Sequence, residues 1–257
     1  MNNQLKFFCS VLALAAVGHV SAATTWTLAS DYGSISSGVT VTALSNTGGT
    51  NNSANAANNG ALQTIQTATW TNTWGGIYNA DACTSGSYCD TNENASPEHS
   101  IDNNQRYDMA LLTFSDLVKI TDLKLGWVST DSDVTVMAYN GSGAPTLVGK
   151  KYSDLVSLGW VSIGNYSDLG TTTKAINSGG VFSSYWLIGA YNPLANPGGG
   201  SVTGNSYDYV KLASVTGCIS GTIGCNPLEN DAPEPGSMAL FGLGLLGLVF
   251  QRKRPTA

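Results

Sequence analysis

The chain has 257 residues, of which 42% are hydrophobic and only 11% charged, with 30 Gly and a formal net charge of −6. That hydrophobic share excludes a disordered chain, and the scarcity of charge excludes a coiled coil or a solvated acidic tail. The acidic balance also excludes a nucleic-acid partner, which needs a basic face.

The first predicted element is a secretory signal over residues 1–23. Lys6 supplies the positive start, residues 7–17 are almost unbroken apolar, and Val20-Ser21-Ala22 offers small residues for cleavage after Ala22 or Ala23. The apolar run is too short for a membrane anchor. Short runs of strand-forming residues follow at 24–29, 39–44, 109–114, 123–128, 134–139, 186–191 and 207–212. In the run at 134–139, Val134, Val136 and Ala138 share one face, while Thr135, Met137 and Tyr139 share the other. Turn signals such as Asn140-Gly141 and Gly179-Gly180 punctuate the runs, and no segment keeps a long helical period. The pattern predicts a mainly β fold over residues 24–225, a single antiparallel β-sandwich of jelly-roll type with long Gly/Asn-rich loops. Residues 46–60, 79–106 and 193–205 read as those loops, and residues 226–232 as an extended linker.

Cys9 falls within the signal, leaving Cys83, Cys89, Cys218 and Cys225. An even number in an exported chain suggests disulfides, and all three connectivities stay open. Local pairing within each couple is the simplest. A four-thiolate zinc site is disfavoured by spacings of six and seven residues.

Few residues suggest chemistry. His99 with Asp102 and some serine could form a hydrolytic triad, but no G-x-S-x-G accompanies them, and the expectation is a protein without enzyme activity. The bland alternative is a turn, in which Asp102 and Asn103 bond nearby backbone amides. Asp131 and Asp133, with Asp102 or Asp108, could offer hard oxygen ligands to calcium outside the cell, although the spacing is not that of an EF-hand. No other cofactor is expected. Trp70, Trp74 and Tyr78 recur every four residues in Gly/Asn-rich surroundings and could stack on sugar rings if exposed; core packing is the default for tryptophan. Trp127, Trp160 and Trp186 lie in strand-like runs and are expected in the core.

The C-terminus carries the most specific signal. Pro233-Glu234-Pro235 precedes a 14-residue apolar run at 237–250 and the basic cluster Arg252-Lys253-Arg254. At about 1.5 Å per residue a helical run of that length spans roughly 21 Å, less than a bilayer core. The cluster would hold the extreme C-terminus on the cytoplasmic side. These three parts, over residues 233–257, resemble the PEP-CTERM sorting signal. The resemblance implies recognition and cleavage at or near Pro233, Glu234 and Pro235 by an exosortase, a membrane transpeptidase of Gram-negative bacteria that make exopolysaccharide. Ala232 stands where Val is common. A second stretch, from His99-Ser100-Ile101-Asp102-Asn103 through Arg106-Tyr107-Asp108 and Gly126-Trp127 to Asp131-Ser132-Asp133, resembles a family of exosortase-dependent surface proteins that brings no catalytic residues with it. Together they imply a precursor transiently inserted in the inner membrane and a mature protein at the cell surface or secreted. The implied role is structural or adhesive in the biofilm matrix. The alternatives are a carbohydrate-binding module, with or without calcium, and, weakest, a hydrolase. Loss of both ends removes Lys6, Arg252, Lys253 and Arg254, so the mature charge would be 7 − 17 = −10.

Overall fold

A computed structural model describes residues 23–29, 31, 36–48, 63–72, 76, 78–80, 95–204, 206–222 and 224–225. The expected signal, Cys83, Cys89, Trp74, the linker and the sorting tail lie outside the described residues. Eleven strands follow in chain order: β1 (Thr24–Thr27), β2 (Val39–Gly48), β3 (Thr64–Thr71), β4 (Tyr78–Ala80), β5 (Ile101–Asp102), β6 (Asp108–Thr130), β7 (Val134–Tyr139), β8 (Trp160–Tyr166), β9 (Lys174–Ala175), β10 (Ser183–Ala190) and β11 (Asp208–Ile219). Short 3-10 turns occur at Tyr152–Asp154 and Val156–Leu158.

The strand pairings are all antiparallel and form one connected sheet. Its main path runs β4-β3-β2-β6-β10-β7-β8, while β11 pairs with β6, β1 and β5, and β9 pairs with β6. The runs expected at 109–114 and 123–128 are one 23-residue strand, β6. Ser115, Asp116, Thr121 and Asp122 interrupt the apolar pattern, yet no Gly or Pro falls between Asp108 and Leu125 to stop the ladder. The first half of β6 lies between β2 and β10, with Leu112 opposite both Val41 and Trp186. The second half pairs with β11, where Leu125 faces Leu212 and Trp127 faces Lys211.

The two halves fold face to face. Trp26 of β1 sits opposite Val215 of β11, which sits opposite Leu123 of β6. Even so, the Trp26 ring meets Phe114, nine residues back along β6, with centroids 5.0 Å apart in an edge-on arrangement. A flat sheet would hold those rings about 30 Å apart at roughly 3.4 Å per residue. The expected pair of separate sheets is thus replaced by two layers of one sheet, because β6 is long enough to serve both.

The main core between the layers draws on Leu112, Phe114, Leu125, Trp186, Val210 and Leu212. A second core lies on the other side of β7 and β10, around Met109, Met137, Tyr152, Trp160 and Leu187. Val134, Val136 and Ala138 enter the first core and Met137 the second, so β7 is buried on both faces. Tyr152 of the first 3-10 turn and Leu155, between the two turns, pack onto this second core. Strand β2 extends beyond the expected run, and Asn46, placed by sequence in a surface loop, is fully buried and accepts the Tyr107 N–H at 2.7 Å.

Candidate functional site

One end of the folded sheet gathers carboxylates. β6 ends at Thr130, in left-handed conformation (φ 61°), and the chain reverses so tightly that Asp131 N–H bonds Ser129 C=O at 2.7 Å. Asp131 Oδ1 accepts the Ser132 N–H at 2.8 Å. Asp133 Oδ1 accepts the N–H of Asp168, just past β8, at 2.8 Å. Asp208, at the start of β11, accepts the Asp133 N–H at 2.7 Å on one oxygen and Asn103 Nδ2 at 2.7 Å on the other. Gly204 lets the loop before β11 approach, since a Cβ there would lie 2.6 Å from Asp131 Oδ2.

Each of Asp131, Asp133 and Asp168 offers an oxygen within 4.8 Å of the other two. Burial is the main force on the two enclosed members. It pushes Asp133 up to about 6, against the lowering bond from the Asp168 N–H and with further upward push from the Asp131 and Asp168 charges. It pushes Asp208 up to about 7, with the charges of Asp133 and Asp131 adding to it and the bonds from Asp133 and Asn103 opposing it. Such a group can relieve its repulsion by holding a proton or a hard divalent cation. The trio differs from the one expected. Asp102 is not part of it: its Oδ1 accepts the Asn104 N–H at 3.0 Å, which makes it the turn residue of its own loop. Asp168 takes its place, 35 residues from Asp133 and brought there only by the β7–β8 pairing.

His99 lies elsewhere, on the face carrying Trp127 and Lys211. Its ring stacks on Trp127 with centroids 6.1 Å apart, and Lys211 Nζ sits 5.0 Å from the Trp127 ring centre. Trp127 is therefore half-buried between a histidine and a cation, whereas the sequence placed it in the core. Burial pulls Lys211 down to about 8, partly offset by the Asp31 charge. Beside them Glu98 accepts Asn104 Nδ2 at 2.9 Å and the Tyr209 hydroxyl at 3.4 Å. Tyr209 is pushed up by burial first and then by the Glu98 and Asp102 charges. The Ser100 hydroxyl donates to Pro97 C=O at 2.7 Å, and Asn103 Oδ1 accepts the Asp208 N–H at 2.8 Å. These bonds describe a loop tied to the sheet end, as the turn reading supposes.

Trp70 is half-buried and packs against the main core. Tyr78 opens β4 opposite Thr71. Cys218 and Cys225 form a disulfide, Cα atoms 5.8 Å apart, which is the local pairing. An open depression between Gly38–Thr40 and Thr113–Ser115 carries no charged side chain in its lining. Among the described residues no helix is long and apolar enough to cross a membrane.

Residues 231–254 match the family model of the PEP-CTERM protein-sorting motif. The motif marks an exported protein that is processed by an exosortase and sorted to the cell surface. No curated protein and no solved structure matches the chain.

Proposed function

We propose that this protein is a structural or adhesive component of the extracellular matrix, released from its membrane precursor by cleavage at or near Pro233-Glu234-Pro235, and that it carries out no reaction. The sorting motif behind a β domain is the observation that supports this reading most. The burial of Trp70 against the core supports a structural role over sugar stacking at that residue. On the Trp127 face, Glu98 accepts from Asn104 and Ser100 donates to Pro97 within the same loop, which favours a scaffold over a reaction centre. Intact mass of the protein from an exosortase-bearing host, fractionated into membrane, surface and medium, tests it. The expected chain begins near Ala23 or Thr24 and ends at or near Pro235, outside the inner membrane. A full-length C-terminus kept in that membrane would overturn the proposal.

A second reading adds calcium to the same role, favoured by the three carboxylates at the sheet end. A bound ion would tie the β6–β7 turn to the loop after β8. Under that reading, millimolar calcium raises the thermal midpoint at pH 7.5 and Asp168→Asn abolishes the rise, while magnesium does little because it resists dehydration. Equal midpoints with calcium and with chelator would remove calcium from the account.

A further inference from the structure

Strand β7 ends at Tyr139, and the chain leading to β8 opens on Asn140-Gly141. The Asn140 N–H donates to Gly159 C=O at 2.9 Å, which anchors the start of the turn. Asn140 and residues 141–144 are exposed. Neither the Asn140 side-chain amide nor the Gly141 N–H has a hydrogen-bond partner among the described residues.

An asparagine loses its side-chain amide when the next backbone nitrogen attacks the side-chain carbonyl. The attack is helped by a small following residue, an unbonded N–H and an amide that is not already held. Two described asparagines precede Gly or Ser, Asn140 and Asn177, and the structure separates them. Asn177 is 5% exposed. Its Nδ2 donates to Ile120 C=O at 3.0 Å and to Val181 C=O at 2.9 Å, while its Oδ1 accepts the Val181 N–H at 2.9 Å. Those three bonds lock the amide that would have to turn. Asn192 and Asn196 precede prolines, which have no N–H to give up.

We propose that Asn140 is a site of spontaneous deamidation, a mark of age on the exported protein. The Gly141 nitrogen gives its proton to solvent base and bonds to Asn140 Cγ. The bond from Cγ to the amide nitrogen breaks, ammonia leaves, and a five-membered imide closes. Water then opens the imide at either carbonyl, giving aspartate or isoaspartate. Glycine favours closure because it brings no Cβ against the forming ring. Either product adds a carboxylate to a chain that is already acidic. Isoaspartate also lengthens the main chain by one carbon beside Tyr139, whose ring lies 5.3 Å from that of Trp160 at the second core. The modification needs no enzyme and proceeds for as long as the protein persists.

Incubation of the folded protein recovered from its host, at pH 8, followed by tryptic mapping, tests this. Cuts after Lys124 and Lys150 release residues 125–150, in which Asn140 is the sole asparagine and no glutamine occurs. A gain of about 1 Da in that peptide therefore reports Asn140 alone. The gain is expected to grow with time, to split between two separable isomers, and to disappear in Asn140→Gln. In the same folded samples fragment ions show Asn177 converting at least about tenfold more slowly than in urea, since its bonds must open first. A peptide 125–150 that keeps its mass while a synthetic copy of it gains the 1 Da overturns the proposal. Folded-state conversion of Asn177 as fast as that of Asn140 overturns the selection by structure.

Discussion

Asp133 and Asp208 are each 2% exposed, and the Asp133 N–H donates to the Asp208 carboxylate at 2.7 Å. Both carboxyls hold their protons more tightly in the folded protein than the ordinary 3.8, at about 6 and about 7. In the unfolded chain they let go near 3.8, so between that value and about 7 the folded state binds more protons. Their contribution is therefore complete below about pH 3.8 and is lost as pH rises through 6 to 7. In chelated buffer, the urea midpoint is expected to fall from pH 4.5 to pH 7.5, and Asp208→Asn to flatten that slope. A midpoint rising over this range in wild type, with no change on substitution, would contradict the assignment. Lys211 works in the opposite sense. Its folded value of about 8 lies below the ordinary 10.5, so it makes stability rise with pH across that interval, and Lys211→Met should remove the rise.

Single strands explain more than their sequences suggest. β7 reads as a strand with one apolar face, but Met137 is fully buried on the other, in the core completed by Leu147, Tyr152, Leu155 and Ala195. β10 approaches β6 so closely at Gly189 that a Cβ there would collide with the Asp108 carbonyl and the Met109 backbone. Gly189→Ala must push the two strands apart and is expected to cost about 1–3 kcal/mol, as overpacked cores do. Equilibrium denaturation measures it, and a cost below about 0.5 kcal/mol would mean the pair separates freely. The same logic shows what was legible. The alternating apolar residues of 134–139 mark β7 at its true bounds, and the apolar run at 186–191 finds β10 but starts three residues late. Thr-rich β3 and β8, which mixes Ser, Gly and Asn with its apolar residues, escaped, since polar or mixed strands owe their state to the neighbours that pair with them.

The molecule closes where its first and last strands pair, with Thr24 beside Gly217. Trp26, 4% exposed, reaches from that pair across the core to Phe114, joining the two layers through residues 88 positions apart in the chain. Trp26→Ala is expected to cost about 3–5 kcal/mol and to loosen β1, which hydrogen exchange at Leu28, whose N–H bonds Ala213 C=O at 2.8 Å, would report. Unchanged stability would mean the layers are held together elsewhere. The pairing also gives the domain polarity. β11 runs from Asp208, at the carboxylate end, to Ile219 at the opposite end of the sheet.

The sorting motif, the β class and the strands with strong alternation were determined by sequence, because each depends on residues adjacent in the chain: a tripeptide before an apolar run, a period of two, a glycine at a turn. The local pairing of Cys218 with Cys225 was legible for the same reason, their separation of seven residues. The union of two runs into β6, the second core and the exchange of Asp102 for Asp168 were decided by tertiary structure. Asp168 meets Asp133 only after β7 and β8 pair, and Trp127 is taken from the core by His99 and Lys211, which lie 28 residues before it and 84 after it. Contacts between distant residues depend on how layers stack, and no local pattern records which face of a strand will find a second cover.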